Sequence, residues 1–108
     1  MNLEYAVERL YQAGWDPKLQ CDQEALPDGR RYPSIEAARQ EFARFGLKLD
    51  IKHNLMFNCY YANWSPTETE PDEPAMRGTA IGTDPREAAV YALAQLRASI
   101  AQKQMAMA

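Results

Sequence analysis

Residues 77–96 read Arg77-Gly-Thr-Ala-Ile-Gly-Thr-Asp-Pro-Arg-Glu-Ala-Ala-Val-Tyr-Ala-Leu-Ala-Gln-Leu96. Their first part predicts a short β-strand, in which Gly78 and Gly82 indicate a bulge or a close approach of a neighbouring segment. Asp84 followed by Pro85 is typical of a helix start, because aspartate caps free N–H groups and proline suits the first helical position. The apolar spacing after them predicts an amphipathic helix. This unit decides how the domain closes, and it carries no group arranged for catalysis.

Two more helices are predicted upstream of this unit. Residues 2–13 repeat apolar side chains at helical spacing, and Gly14 follows as a terminating glycine would. Residues 35–45 show the same periodicity after Ser34, which is a favourable N-cap. The segment 15–33 between the helices has turn signals and no periodicity, so it predicts a long loop. That loop either packs through its apolar residues, is mobile, or forms a functional surface.

The middle of the chain predicts two strands joined by a tight turn. Residues 47–52 alternate between apolar and charged side chains, which indicates a half-buried strand. The next strand, about 56–64, is apolar on both faces, so its register needs an argument. A two-residue turn would set Asp50 opposite Phe57, whereas a three-residue loop sets Ile51 opposite Phe57. We choose the three-residue loop because cross-strand partners share a face and this register pairs apolar residues throughout.

This register assigns a face to each residue of the second strand. It sets Leu49 opposite Cys59 on the inner side of the sheet. The outer side then displays Met56, Tyr60 and Trp64. Such a group can anchor a partner or stack on nucleic-acid bases, or it can be covered by the first helix. Both interpretations stay open from the sequence.

The predicted fold class is α+β, with the element order α-α-β-β-β-α. We expect a three-stranded antiparallel meander with helices two and three packed on one face. The N-terminal helix either joins that layer or covers the other face. The 108 residues predict a single domain, 1–108. Its irregular parts are the loop 15–33, an acidic Pro-rich loop at 65–75 and a frayed tail at 103–108.

The composition excludes several classes of protein. Twelve Lys and Arg against fifteen Asp and Glu give a net charge of −3, which disfavours non-specific nucleic-acid binding. No apolar run approaches a membrane span, and the N-terminus lacks the pattern of a signal peptide. We therefore expect a cytoplasmic protein without a membrane partner. Its two cysteines, Cys21 and Cys59, are expected to be free thiols.

The residue types that carry chemistry are sparse. The chain has one histidine, His53, and no closely spaced pair of cysteines, so it predicts no metal site and no cofactor. Its serines are explained as a cap, a turn residue and helix surface, and Cys59 is expected to point inward. We therefore expect a protein that is not an enzyme.

Two charged groups remain as candidate binding residues. The acidic group of the Pro-rich loop would meet a basic partner surface, together with the outer aromatic face. Its members are Glu68, Glu70, Asp72 and Glu73. The basic group would serve a nucleic-acid partner. Its members are Arg30, Arg31, Lys48 and Lys52.

The segment 34–96 resembles the double-stranded-RNA-binding domain in its order of helix, three strands and helix. The ending that carries the likeness is Gly78…Gly82-Thr83 with Ala88-Ala89 and Ala92-Leu93. The resemblance implies a nucleic-acid-binding module. That family places lysines at the start of its last helix, where this chain has Thr83-Asp-Pro-Arg-Glu87, an acidic cap that disfavours a phosphate clamp.

A second resemblance covers more of the chain. The motifs are Gly14-Trp15, Tyr32-Pro33-Ser34, Ala37-Ala38 and Thr83 with Glu87-Ala88. They are similar to those of small phage proteins with the phage ABA-sandwich domain. The resemblance implies a phage or prophage accessory protein without an assigned activity.

These observations lead to one hypothesis and one alternative. The hypothesis is a small non-enzymatic interaction protein, encoded by a phage or prophage, that acts by binding another protein. In one version it inhibits a host defence complex such as CRISPR-Cas. The alternative is a nucleic-acid-binding module with the double-stranded-RNA-binding order of elements. The oligomeric state is left open.

Overall fold

The computed structural model describes residues 3–18, 21–67 and 77–107, and the side chains within these ranges as far as residue 102. The elements in chain order are α1 (Leu3–Gln12), β1 (Gln23–Ala25), β2 (Arg31–Pro33), α2 (Ile35–Arg44), β3 (Leu47–Asn54), β4 (Cys59–Pro66), β5 (Gly78–Gly82) and α3 (Pro85–Met107). The α+β class is confirmed. The predicted order is incomplete, because a two-stranded sheet stands between the first two helices.

The extra sheet forms inside the predicted loop 15–33. Strands β1 and β2 pair antiparallel, with Gln23 opposite Pro33 and Ala25 opposite Arg31. The connecting turn uses Gly29 at φ +93°, a left-handed conformation that favours glycine. The loop packs through Trp15, Leu26 and Tyr32, which are all buried. Of the three alternatives for this segment the first is confirmed, and Leu19 lies outside the described residues.

The second sheet has the strand order β3-β4-β5 and is antiparallel throughout. Its register differs from the predicted one: Leu49 faces Trp64, Ile51 faces Ala62 and Asn54 faces Cys59. The hairpin loop is therefore four residues long, Leu55–Asn58, and β4 begins later than expected. Leu49 therefore pairs with a residue five positions further along β4 than predicted. Because side chains of a strand alternate between faces, this odd shift turns every residue of β4 to the opposite face.

The inner face of this sheet packs on α2 and α3. Trp64 lies in the middle of that face and is 3% exposed, with its ring centroid 5.6 Å from that of Phe42 on α2. A Cβ at Gly78 would stand 2.7 Å from the Trp64 ring, so only glycine leaves room for the indole. Gly82 allows a similarly close approach to the start of α3. The close-approach interpretation of the two glycines is therefore confirmed.

Helix α1 packs on α3 and so joins the helical layer. Ala6, Val7 and Leu10 are completely buried there, in contact with the alanine-rich side of α3. The opposite face of the three-stranded sheet consequently carries exposed charged side chains of β3. Helix α3 extends to Met107 and so includes residues 103–107, where the sequence predicts fraying.

Candidate functional site

The connection between β3 and β4, Leu55–Asn58, is a four-residue turn with a fixed shape, here called the hairpin tip. The Asn54 side-chain oxygen accepts hydrogen bonds from the backbone N–H groups of Met56, at 3.0 Å, and Phe57, at 3.3 Å. Asn58 has φ +47°, a left-handed conformation that asparagine tolerates better than most residues. Asn54 thus caps the backbone N–H groups of the turn, and Asn58 supplies the left-handed residue with which the turn ends.

The hairpin tip presents three consecutive large apolar side chains to solvent. Leu55 is 82% exposed, Met56 84% and Phe57 70%. Single exposed apolar residues are ordinary on protein surfaces, but a contiguous group on a projecting turn is typical of an interaction site. Burying one such side chain completely is worth about 1.5–3 kcal/mol. The fold leaves these three side chains exposed, so their burial against a partner would contribute to the free energy of binding.

The base of the tip is held by side-chain contacts between the two strands. His53 and Tyr60 stack with ring centroids 4.4 Å apart and an interplanar angle of 14°. The His53 Nε2 atom is 3.3 Å from the Asn58 side-chain oxygen, and the Asn54 amide donates to the Tyr61 hydroxyl at 3.4 Å. These contacts restrict the turn relative to the sheet, so the apolar residues project in a defined direction.

The predicted outer group of Met56, Tyr60 and Trp64 is not one surface. Met56 is at the hairpin tip, Tyr60 is half-buried against the core, and Trp64 is a core residue. The prediction was wrong for Trp64 because the longer loop changes which residues of β4 face the helices. The same change moves Cys59 and Tyr61 to the outer face, so the expectation that Cys59 points inward was also wrong.

Two residues of the tip, Leu55 and Phe57, were missed as candidate binding residues. The predicted register placed Phe57 inside and treated Leu55 as part of a loop. The available signal was the pair Asn54 and Asn58, which bracket an apolar run. Asparagine is favoured where a turn needs a side-chain cap or a left-handed residue, so this bracket indicates a four-residue turn.

The predicted charged groups have different positions. The acidic residues Glu68, Glu70, Asp72 and Glu73 lie outside the described residues. The four basic residues are divided between the two sheets: Arg30 and Arg31 at the β1–β2 hairpin, Lys48 and Lys52 on β3.

Three of the basic side chains have partners nearby. The Arg30 Nε atom lies 2.9 Å from the Asp28 carboxylate, and the Arg31 Nε donates to the Gln23 side chain at 3.0 Å. The Lys52 ammonium lies 3.7 Å from the Asp50 carboxylate. The structure therefore does not bring the basic group together as one free positive patch.

The start of α3, where the RNA-binding family carries its lysines, is an internally bonded network. The Arg86 guanidinium donates to both Asp84 carboxylate oxygens, at 3.1 and 3.2 Å, and to the Tyr32 hydroxyl at 3.2 Å. The buried Glu87 carboxylate accepts from the Thr83 backbone N–H at 3.1 Å and from its hydroxyl at 2.8 Å. Asp84 caps the helix as predicted, through the Arg86 N–H. This network fastens α3 to β2 and the end of β5.

The same network shifts the pKa values of its members. Hydrogen bonds from Arg86 hold the pKa of Asp84 below its ordinary value, and the Asp84 partner raises the pKa of Arg86. Burial raises the pKa of Tyr32, and the Arg86 charge opposes that change. The charged forms of Asp84 and Arg86 are thus both stabilised in the folded state.

We predict an acid-sensitive contribution to stability from Asp84. Its folded pKa is lower than its unfolded pKa, so its stabilising effect is present above the unfolded pKa and is lost as pH falls through the folded one. Wild-type protein should therefore lose more stability between pH 5 and pH 2 than the Asp84→Asn variant does. Urea midpoints measured across this range test the prediction, and parallel curves for the two proteins would contradict it.

The described residues contain no arrangement for metal or nucleophilic chemistry. No group of three or more His, Cys, Asp or Glu side chains among them could hold a metal ion. Cys21 and Cys59 are free thiols, both half-buried. Within the same part of the chain, no helix has the length and apolar character needed to cross a lipid bilayer.

Comparison of the chain with protein-family models, with curated proteins and with solved structures found no match. By its architecture alone, the chain is an α+β domain with two antiparallel sheets and a helical layer on one side of the larger sheet.

Proposed function

We propose that this protein is a non-enzymatic binding protein that inserts its hairpin tip into an apolar cleft of a partner protein. The observation that carries the proposal is the exposure of Leu55, Met56 and Phe57 on a turn whose backbone is fixed by Asn54. A few central apolar anchors supply most of the energy of many protein interfaces. The tip has the size and composition of such an anchor group.

The rigidity of the tip also favours binding. Ordering a flexible loop on association costs free energy, and a turn that is already ordered avoids much of that cost. The asparagine caps and the stacked His53 and Tyr60 supply this order before any partner arrives. The polar groups at the base of the tip would form the polar, solvent-accessible rim around these apolar anchors.

The charge distribution favours a protein over a nucleic acid as the partner. A nucleic-acid surface needs several free cations aimed at phosphates, and its affinity depends on their number. Here Lys52 is paired with Asp50, Arg30 is paired with Asp28, and the net charge is −3. Three exposed apolar side chains on a turn suit an apolar cleft better than a phosphate backbone.

A narrower form of the proposal names the setting of the partner. The likeness to phage ABA-sandwich proteins and the acidic segment 65–75 suggest a phage-encoded protein that binds a host defence complex such as CRISPR-Cas. An acidic chain could occupy the groove of a nucleic-acid-handling protein, since complementary charge steers association. This form is distinguished from the general one by the identity of the captured partner.

We predict that three changes at the tip weaken binding at least tenfold and leave the fold intact. In the variant with Leu55→Ser, Met56→Ser and Phe57→Ser, the affinity for the partner should fall at least tenfold, because the lost burial is worth several kcal/mol. Stability should change by less than about 0.5 kcal/mol, since the side chains are exposed. The measurements are isothermal titration calorimetry with the purified partner and chemical unfolding.

The partner is identified first by photo-crosslinking. A benzophenone amino acid at Met56 should give one specific adduct in host extract, and the same group at Arg39, which is exposed on α2, should not. The captured protein is then purified and titrated with wild type and with the triple variant. Equal affinities for the two would overturn the proposal, and a salt-dependent shift with duplex RNA would support the nucleic-acid alternative.

A further inference from the structure

A groove of 510 Å³ runs between α1 and α3. One end is walled by Tyr5 of α1 and Tyr91 of α3, whose rings meet edge to face with centroids 6.2 Å apart. Ala94 and Ala98 of α3 line it with short side chains, so the space above them is open. The volume falls in the range of about 300–1,000 Å³ typical of small-molecule sites.

The α1 wall of the groove is polar beyond Tyr5. Arg9 and Gln12 line it, one and two helical turns along α1 from Tyr5. Among the described residues, the Arg9 side chain has neither an ion-pair nor a hydrogen-bond partner, unlike Arg86 and Arg97. A guanidinium with all its donors free presents a planar fork that matches a carboxylate.

We propose that this groove binds a small aromatic carboxylate, with its carboxylate on Arg9 and its ring against Tyr5 and Tyr91. The aromatic pair supplies an edge and a face for a third ring, and aromatic contacts of this kind add to the burial of apolar area. Gln12, three residues after Arg9 on α1, lines the same groove and carries an amide that can serve as a further donor. The site is on different elements from the hairpin tip and does not depend on the proposed function.

The charges around the groove fix the direction of the ligand. Burial and the nearby Glu87 carboxylate raise the pKa of Tyr91, while Arg9 acts in the opposite sense. Glu87 lies one helical turn before Tyr91 on α3, whereas Arg9 lies one helical turn beyond Tyr5 on α1. A carboxylate is attracted to Arg9 and repelled by Glu87, so the ring of the ligand lies against the two tyrosines.

The test is a titration of ¹⁵N-labelled protein with 3-phenylpropionate, followed by the backbone amide shifts. We expect saturable shifts at residues 9, 12, 91, 95 and 98, and affinity about tenfold weaker for the neutral amide 3-phenylpropionamide, because a charge-assisted hydrogen bond is lost. Phenyl phosphate is titrated in parallel. Tighter binding of the phosphate would assign the site to phosphate esters and overturn the carboxylate assignment.

Two variants and one control complete the experiment. Arg9→Gln should weaken 3-phenylpropionate about tenfold, and Ala98→Leu should block the groove, whereas Arg39→Gln on α2 should bind like wild type. Circular dichroism establishes that each variant is folded. Equal affinity of Arg9→Gln and wild type, shifts confined to other parts of the chain, or no saturation up to 20 mM would each overturn the proposal.

Discussion

Replacing Trp64 with alanine is expected to lower the free energy of unfolding by about 3–5 kcal/mol, the usual cost of deleting a large buried aromatic side chain. The indole is 3% exposed and packs on Phe42. Its Nε1 donates to the Gln95 side chain at 3.0 Å, so the substitution also removes a bond between β4 and α3. Because small domains have total stabilities of about 5–15 kcal/mol, a large part of the stability would be lost.

The matched control for this experiment is Met56→Ala. Both residues were predicted to share the outer face of the sheet, and Met56 is 84% exposed. We expect its substitution to change stability by less than about 0.5 kcal/mol. Urea unfolding followed by far-ultraviolet circular dichroism measures both variants. If the two variants lose similarly small amounts of stability, Trp64 is not a core residue, and the observed register is contradicted.

A third variant separates the packing of Trp64 from its hydrogen bond. Trp64→Phe keeps an aromatic ring on Phe42 and removes the donor to Gln95. It should cost less than Trp64→Ala, because most of the apolar burial is retained. The Gln95 amide also donates to the Thr79 carbonyl at 3.0 Å, and this bond holds α3 against β5. If Trp64→Phe loses as much stability as Trp64→Ala, the position requires the full shape of the indole.

The sequence predicts this fold best where the signals are local. Ser34 caps α2 as expected, with its hydroxyl accepting the Ala37 N–H at 3.1 Å. Asp84 and Pro85 start α3 as expected, and Glu87 is buried beside them. A cap depends on a few neighbouring residues, so its pattern can be read without knowing the rest of the structure. All three helix starts and the ends of α1 and α2 were therefore predictable within about two residues, whereas α3 extends further than expected.

The register of β3 and β4 was not predictable from the same information. The second strand is apolar on both faces, so its pattern fits either register. What decides between them is the turn, where Asn54 caps two backbone N–H groups and Asn58 adopts φ +47°. The turn type sets the loop length and hence the face of each residue. The candidate site depended on this one detail, because it determines which apolar residues are exposed.

The β1–β2 sheet illustrates a different limit. Its strands are three residues long, too short to show an alternating pattern. Their position follows from the burial of Trp15 and Tyr32 in the common core, which is a tertiary effect. Tyr11 stacks on Trp15, with centroids 5.7 Å apart, and ties α1 to this region. The apolar residues of such a segment can be read from a single sequence, but the tertiary contacts that order the segment cannot.

The second large effect concerns the ion pair between Arg97 and Glu41, which joins α3 to α2. One Arg97 terminal nitrogen donates to the Glu41 carboxylate, and the other donates to the Gly14 carbonyl at 3.3 Å, just beyond α1. The side chains are only 22% and 15% exposed. Removing one partner of such a pair leaves a charge largely out of water. We therefore expect Arg97→Met to cost about 2–3 kcal/mol, somewhat less than for a completely buried pair.

The double variant with Glu41→Leu and Arg97→Met tests the origin of that loss. Apolar residues of similar volume often replace a buried ion pair at little cost, so the double variant should recover to within about 1 kcal/mol of wild type. Guanidinium unfolding of the wild type, both single variants and the double variant completes a cycle that isolates the pairwise energy. If the double variant is no more stable than Arg97→Met, the loss comes from the packed stem of Arg97 and its bond to Gly14, and the stranded carboxylate is not its cause.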